Sequence, residues 1–254
     1  MKKNKMLVIV FLFTLLLSHL FTVSVESASR YDAVLARWTK KEEYKDDMGG
    51  RFNVNVTLYT AEYIESLMQS EAEKNLWTAS ELEDYKYNFL RGLNMDDNIA
   101  IHVEFEELGA TAHMAPFNEM AYLWIGSNKY APVDYDQRFN LPLMGKRDGM
   151  LYFPRYNEKT GEPLLKRDTT LRLVFNGAIS PVLGNREIRF TWDVKAENAE
   201  GAMSGTAADR LEVDRLLRRM EKLAAEKADL QSQLDAKNKE IDSIAARIEE
   251  LQKK

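Results

Sequence analysis

Cysteine is absent from all 254 positions of the chain. This absence excludes disulfide bonds, thiol catalysis, iron–sulfur clusters and thiolate zinc sites. It also excludes a lipid anchor attached to an N-terminal cysteine. A chain that can bury a sizeable core does not need disulfides to fold outside the cytoplasm, so the missing cysteine leaves the compartment open.

Histidine is scarce, and only His102 and His113 lie beyond the apolar N-terminal segment. Two isolated histidines do not make a zinc site, which needs three or four ligands. Acidic residues occur in loops, but the twelve-residue calcium-binding pattern is missing. The chain also lacks Gly-x-Ser-x-Gly, a phosphate-binding loop, a dinucleotide fingerprint and His-Glu-x-x-His. We therefore expect no enzymatic activity, no cofactor and no bound metal.

Positive charge is not in excess, because the formal net charge is −5 at pH 7. A mildly acidic protein has no general electrostatic attraction to a phosphate backbone. The charge balance therefore predicts that nucleic acid is not a partner.

Long apolar runs are confined to the N-terminus. Residues 1–5 are basic, residues 6–23 are almost wholly apolar, and residues 24–29 are mostly small. This order predicts a secretory signal peptide over residues 1–29, with cleavage after Ser29 or Ser27. The alternative is an uncleaved inner-membrane anchor formed by residues 6–23, since 18 residues are just enough to span a bilayer. Both interpretations place residues 30–254 outside the cytoplasm, in the periplasm or secreted, with membrane contact only if the segment is retained.

Residues 30–195 predict a domain rich in β-strands. Helical spacing predicts helices near residues 31–46, 60–74 and 78–94, and the third begins with the capping-box sequence Thr78-Ala79-Ser80-Glu81. Alternation of apolar and polar residues then predicts about seven strands over residues 51–195. Because strands outnumber helices and do not alternate with them, we predict a mainly β fold. An antiparallel immunoglobulin-like β-sandwich with an N-terminal helical insertion fits best.

Aromatic residues crowd the middle of this domain. If they are buried, they belong to the core of the sandwich. If they are exposed, they form a surface on which a sugar or a peptide could stack. The candidate ligand-contact aromatics are Tyr122, Trp124, Tyr130, Tyr135, Tyr152 and Tyr156.

A small, polar linker over residues 196–208 separates the domain from a C-terminal helix. Residues 209–254 contain no glycine or proline, and apolar residues recur there in a heptad pattern that is typical of a coiled coil. We call the a and d positions of this pattern the seam. The a positions are Val213, Met220, Lys227, Leu234, Ile241 and Ile248, and the d positions are Leu216, Leu223, Leu230, Lys237, Ile244 and Leu251.

An isolated helix would leave this apolar stripe in water, so the seam predicts a partner. Leucine at four d positions favours two strands, and the two lysines can extend out of a dimeric seam more easily than out of a deeper trimeric one. We predict a parallel homodimer. The alternatives are a trimer or higher oligomer, a different partner protein, and folding of the helix back onto its own domain.

These features predict an exported, soluble, non-enzymatic protein of the cell envelope, with a β-sandwich head domain that is oligomerised by a coiled coil. Its partner would be an envelope protein or a glycan. The alternative is a periplasmic hydrolase, or a small-ligand or carbohydrate-binding protein, with its site in the loops of residues 106–157. The polar residues that would form that site are His113, Asp134, Asp136, Arg138, Arg147 and Asp148. Glu104 and Glu106 are a further candidate pair, since alternation places both on one face of a strand, about 7 Å apart.

Overall fold

The computed structural model describes residues 31–165, 169–194 and 206–253. The predicted signal peptide and residues 196–205 of the predicted linker lie outside these ranges, so both remain predictions. The described residues divide into two compact units, one that ends at Ala208 and one that begins at Asp209.

Nine strands, all paired antiparallel, form two sheets in the described part of the first unit. The five-stranded sheet has the order β1-β2-β3-β7-β6, and the four-stranded sheet has the order β5-β4-β8-β9. The strands are β1 Thr39–Lys45, β2 Arg51–Leu58, β3 Asn98–Ala112, β4 Ala121–Ile125, β5 Asn128–Tyr130, β6 Asp134–Tyr135, β7 Leu143–Pro154, β8 Thr169–Phe175 and β9 Ile188–Val194. Seven of these strands were predicted from alternation; β1 and β6 were not.

The prediction of one helix over residues 31–46 is wrong in its second half. Helix α1 covers only residues 31–38, and residues 39–45 form β1. All seven residues of β1 pair with β2, from Thr39 opposite Thr57 to Lys45 opposite Arg51. The polar residues of this segment suit an edge strand, because charged side chains on an edge discourage pairing with other chains. The hydrogen bonds that β2 offers thus outweigh the local preference for helix.

Helices α2 (Ala61–Asn75) and α3 (Ala79–Gly92) form where helical spacing predicts them. The predicted capping box is confirmed, because Thr78 and Glu81 each accept a hydrogen bond from the other's backbone amide. An ion pair of 2.8 Å between Lys86 Nζ and Glu65 Oε2 joins the two helices, and Lys86 is buried. A short helix, α4 (Phe117–Met120), precedes β4.

One continuous apolar core contains inward-facing side chains of both sheets. In β9 the residues Ile188, Phe190, Trp192 and Val194 are all buried, and the residues between them are exposed, as their alternation predicts. Phe105 of β3 lies among the rings of four other phenylalanines, at centroid distances of 5.2–6.1 Å. One of these, Phe175, belongs to β8, so this ring cluster connects the two sheets.

The C-terminal helix, α5 (Thr206–Gln252), begins three residues before the predicted boundary at 209. The carboxylate of Glu83 explains the start, because it accepts hydrogen bonds from the Thr206 hydroxyl (3.1 Å) and the Ala207 amide (3.0 Å). A carboxylate at this point satisfies a free backbone amide and also complements the positive end of the helix dipole.

The prediction of a mainly β fold is wrong in its proportions. Among the described residues about 47% are helical and about 33% are in strands, largely because α5 alone has 47 residues. The two antiparallel sheets and the long C-terminal helix are confirmed. The sandwich packing and its immunoglobulin-like character stay predictions.

Candidate functional site

The seam of α5 exposes a long row of apolar side chains. Each of its ten apolar residues is 49–64% exposed. Lys227 and Lys237, the two polar members of the seam, are exposed as well. The structure thus arranges all twelve predicted seam residues on a single uninterrupted helix and leaves their apolar surface uncovered.

The rest of the α5 surface carries pairs of polar side chains along the helix. An ion pair links Arg247 to Glu250 at 2.7 Å, and the side-chain amide of Gln233 donates a hydrogen bond of 2.8 Å to Asp229. Pairs spaced three or four residues apart stabilise a helix by a few tenths of a kcal/mol each. They support the helix locally, but they do nothing to bury the seam.

The six candidate aromatics do not form one surface. Tyr122 and Trp124 contact each other on the outward side of β4, with ring centroids 6.5 Å apart. Tyr130 and Tyr135 pack against the core instead, and Tyr135 also contacts the ring of Phe117. Tyr152 lies on β7, and Tyr156 lies beyond its end, opposite Pro163. All six are half-buried, so neither the core interpretation nor the exposed one fits the whole set.

Three cationic side chains accompany Tyr122 and Trp124. The Lys129 ammonium lies 3.6 Å from the centroid of the Tyr122 ring, and the Arg172 guanidinium lies 5.3 Å from that of Trp124. Arg189 instead forms an ion pair of 2.7 Å with Glu187, which also accepts a hydrogen bond from the Tyr122 hydroxyl. We call Tyr122, Trp124, Lys129, Arg172 and Arg189 the aromatic platform.

An open cleft of about 350 Å³ lies at one end of the four-stranded sheet. The turn between β4 and β5 forms one side, and the loop after β7 forms the other. Polar groups dominate its lining, which includes Gly126, Ser127, Asn128, Tyr130, Asn157 and Glu162. The cleft adjoins the aromatic platform along the chain, since Trp124 directly precedes the turn and Lys129 directly follows Asn128.

The polar residues of the 106–157 loops mainly brace the backbone. Arg138 pairs with Asp136 at 2.6 Å and donates to the carbonyl of Asp148. Arg147 donates to three further carbonyls, those of residues 138, 141 and 142. The hydrogen bond from Arg138 holds the pKa of the Asp136 carboxyl below its usual value. These contacts fix the 3₁₀ turn Gln137–Asn140 against β7.

The two remaining members of that set do not join this network. Asp134 accepts a hydrogen bond from the amide of Tyr135, its own neighbour. His113 is exposed in the loop between β3 and α4. The structure therefore does not gather the six polar residues around one cavity.

Glu104 and Glu106 also lack the environment of a catalytic pair. Although partial burial alone would raise the pKa of Glu104, hydrogen bonds from Lys146 and Asn55 lower it below the usual value. Glu106 accepts a hydrogen bond of 2.8 Å from the amide of Asn53. A glycosidase acid needs a raised pKa, so Glu104 is unsuited to that role.

Glu107 is a buried acid whose environment the sequence pattern does not reveal. Its side chain has no solvent exposure, and Oε2 accepts a short hydrogen bond of 2.6 Å from the Ser180 hydroxyl. Oε1 has no hydrogen-bond partner among the described residues. Burial raises the pKa of this carboxyl, and the nearby carboxylate of Asp46 raises it further. Strand alternation places Glu107 on the same inward face as Val103 and Phe105, but it cannot reveal the partner, because Ser180 lies 73 residues away in the β8–β9 connection.

We expect Glu107→Gln to stabilise the protein increasingly as the pH rises. When folding raises the pKa of a carboxyl, its contribution to the stability of the protein is fully present below the pKa of the unfolded chain. That contribution is lost as the pH rises through the pKa of the folded protein. Glutamine stays neutral throughout. Urea denaturation at pH 5 and pH 8 should therefore show a larger advantage for the variant at pH 8.

Glu42→Gln makes the same chemical change on the exposed face of β1 and serves as the control. Its effect should differ little between the two pH values. If Glu107→Gln stabilises the protein equally at pH 5 and pH 8, the raised pKa of Glu107 is contradicted.

The described residues hold neither a cluster of metal ligands nor a membrane-spanning helix. Across these ranges, no group of three or more histidine or acidic side chains is arranged to hold a metal ion. Within the same ranges, no helix combines the length and the apolar character that crossing a bilayer requires. Comparison with known proteins identifies no relative, because no protein-family model, curated protein or solved structure matches the chain.

Proposed function

We propose that the protein is exported and acts outside the cytoplasm as a non-enzymatic interaction protein of the cell envelope. In this proposal residues 30–195 form a β-sandwich head, and residues 209–254 of two copies form a parallel coiled coil. The role of the coiled coil is to present two heads together.

The exposed seam of α5 is the observation that carries the proposal. Its ten apolar side chains, each about half exposed, follow one stripe along 47 helical residues. At 1.5 Å per residue this helix is about 70 Å long. Burial of apolar surface is worth about 25 cal/mol per Å², so an uncovered stripe of this length is costly in water. Contiguous apolar patches of this kind on a protein surface mark interaction sites.

A second copy of α5 fits the seam better than an unrelated surface does, because it repeats the same spacing. A sustained heptad repeat matches another helix with the same repeat through knobs-into-holes packing. In a parallel dimer, Lys227 at its a position would lie beside the partner subunit's Glu226, and this pairing lowers the cost of Lys227 in the seam. The e positions carry no charge, so the parallel register creates no repulsion between like charges at positions g and e. These e positions are Leu217, Ala224, Gln231, Asn238, Ala245 and Gln252.

The head supports the proposal through its shared core. Inward-facing side chains of both sheets belong to one apolar cluster, which is what a sandwich requires. Two such heads on one coiled coil would bind a repetitive target far more tightly than one head, because the second binding event becomes intramolecular. This arrangement suits the polymeric and repeated targets of a cell envelope.

Export rests on residues 1–29, whose basic start, apolar run and small residues are typical of a signal peptide. The absence of cysteine is compatible with export, because folding then does not depend on oxidation in the new compartment. Under this proposal the functional protein begins at Ala28 or Arg30.

The chain of residues 1–254, expressed in a bacterium, tests both halves of the proposal. We expect it in the periplasmic or secreted fraction, with an intact mass that corresponds to loss of the N-terminal segment. Sedimentation equilibrium at 1–50 µM, roughly the range in which weak dimers dissociate, should give twice the mass of the processed chain. Retention in the cytosol with the initial methionine would refute export, and a monomer throughout this range would refute the multivalent role.

A further inference from the structure

The outward side of the four-stranded sheet concentrates aromatic rings and positive charge. Trp124 of β4 lies directly opposite Arg172 of β8 on one side and Lys129 of β5 on the other. Tyr122 occupies the next outward position on β4, and Arg189 lies two strands away in the same row. The register of three strand pairs, rather than one flexible loop, thus places the aromatic platform.

The cations of the platform are only partly neutralised. Within the described residues, neither Lys129 nor Arg172 has a carboxylate within ion-pair distance, and each lies over an aromatic ring instead. Arg189 is paired with Glu187, whose carboxylate also interacts electrostatically with Lys129 at a longer distance. This local positive charge occurs on a chain whose net charge is −5. The platform therefore offers charge complementarity to an anion, although the protein as a whole does not.

The adjoining cleft extends the same surface with hydrogen-bonding groups. Ser127, Asn128 and Glu162 contribute hydroxyl, amide and carboxylate groups, and Tyr130 adds a ring. Sugars combine apolar C–H faces, which stack on aromatic rings, with hydroxyls that need polar partners. A ring platform beside a polar cleft matches both requirements.

We propose that the aromatic platform and the cleft together bind an acidic oligosaccharide. One sugar ring of the oligosaccharide stacks on Trp124, and its carboxylates pair with Lys129 and Arg172. The neighbouring sugars of the oligosaccharide enter the cleft. Lys129 has a long flexible stem and can exchange the Tyr122 ring for a carboxylate without breaking an ion pair. This inference deepens the proposed function, since it gives the head its class of ligand.

A hexamer of galacturonic acid is the probe, and isothermal titration calorimetry on the full processed chain measures its binding. Cellohexaose, which is neutral, and a twelve-residue oligothymidylate are the comparison ligands. We expect the acidic hexamer to bind at least tenfold more tightly than cellohexaose, with an affinity that falls as salt increases. Tighter binding of oligothymidylate, or no binding of the acidic hexamer, would overturn the proposal.

Two variants test the residues. Trp124→Ala should weaken binding of the acidic hexamer at least about tenfold through loss of stacking. The double variant Lys129→Gln/Arg172→Gln should weaken it at least tenfold as well and remove most of its salt dependence. Lys41→Gln/Arg91→Gln removes the same charge from exposed positions on β1 and α3, and it should bind like the unmodified protein. Equal weakening by this control would overturn the assignment to the platform.

Because all these side chains are at least partly exposed, we expect each variant to fold. Thermal unfolding followed by circular dichroism checks this. Sedimentation of the same samples separates the two proposals. A monomer that binds the hexamer would refute the dimeric role and support the ligand class. A dimer that does not bind it would refute the ligand class alone.

Discussion

Aspartate in place of both Leu223 and Leu230 should convert the protein from a dimer to a monomer. Each leucine lies at a d position, and a buried leucine is worth about 1.5–3 kcal/mol relative to an exposed one. Each side chain is already about half buried on the single helix, and a dimer contains four of them, so the substitutions remove at least about 3 kcal/mol before any repulsion between the new charges. This loss corresponds to a Kd at least about 10²-fold higher, and the repulsion raises it further. Sedimentation equilibrium at about 1–50 µM should give the mass of a dimer for the unmodified protein and the mass of a monomer for the double variant.

The matched control is Ala225→Asp/Ser232→Asp. These residues occupy f positions on the opposite side of α5, so the helix receives the same two charges two residues further along. The control should remain dimeric. If both double variants dissociate equally, the loss reflects helix propensity, and the seam is not the interface.

Loss of the partner should also weaken α5 itself. Helices owe most of their stability in proteins to packing of an apolar face rather than to propensity. The ion pairs along α5, such as Arg247–Glu250, contribute only a few tenths of a kcal/mol each. The helical signal in circular dichroism should therefore fall in Leu223→Asp/Leu230→Asp, while the head keeps its own unfolding transition.

The elements that the sequence predicts best are those that bury one regular face. In β9 every second residue is buried, so period-two alternation alone locates the strand. The capping box of α3 is a local contact between residues three positions apart, so it can be recognised from the sequence without knowledge of the tertiary structure. The heptad spacing of α5 lies within one continuous helix, so the sequence predicts the helix itself, while burial of the seam stays a prediction.

The features that escape prediction depend on contacts between distant segments. β1 has the composition of a solvated helix and becomes a strand only because β2 offers an edge to pair with. Alternation along β3 places Glu107 on the inward face with Phe105, but the hydrogen bond that accompanies its burial comes from the distant Ser180. The aromatic platform is partly readable: alternation places Tyr122 and Trp124 on one face, whereas Arg172 joins them only through the register of β8.

We expect Phe105→Ala to lower the free energy of unfolding of the head by about 3–5 kcal/mol. The ring of Phe105 has no solvent exposure and contacts Phe52 of β2 at 5.7 Å. It also meets Phe175 of β8 at 5.2 Å, edge to face, so it supports both sheets at once. Its removal leaves a cavity that neither sheet can close alone. Domains are stable by only about 5–15 kcal/mol, so the variant should unfold at a much lower urea concentration.

Phe89→Ala provides the comparison, because it deletes the same atoms from a half-buried position on α3. That ring contacts Tyr59 and Tyr85 at centroid distances of 6.3 Å and lies outside the core cluster. Its loss should cost less than half as much as that of Phe105. Urea denaturation of both variants, followed by circular dichroism in the β-sheet region, decides the matter. Equal costs would mean that the junction of the two sheets is not the point on which the stability of the head depends, and the sandwich proposal would lose its main energetic support.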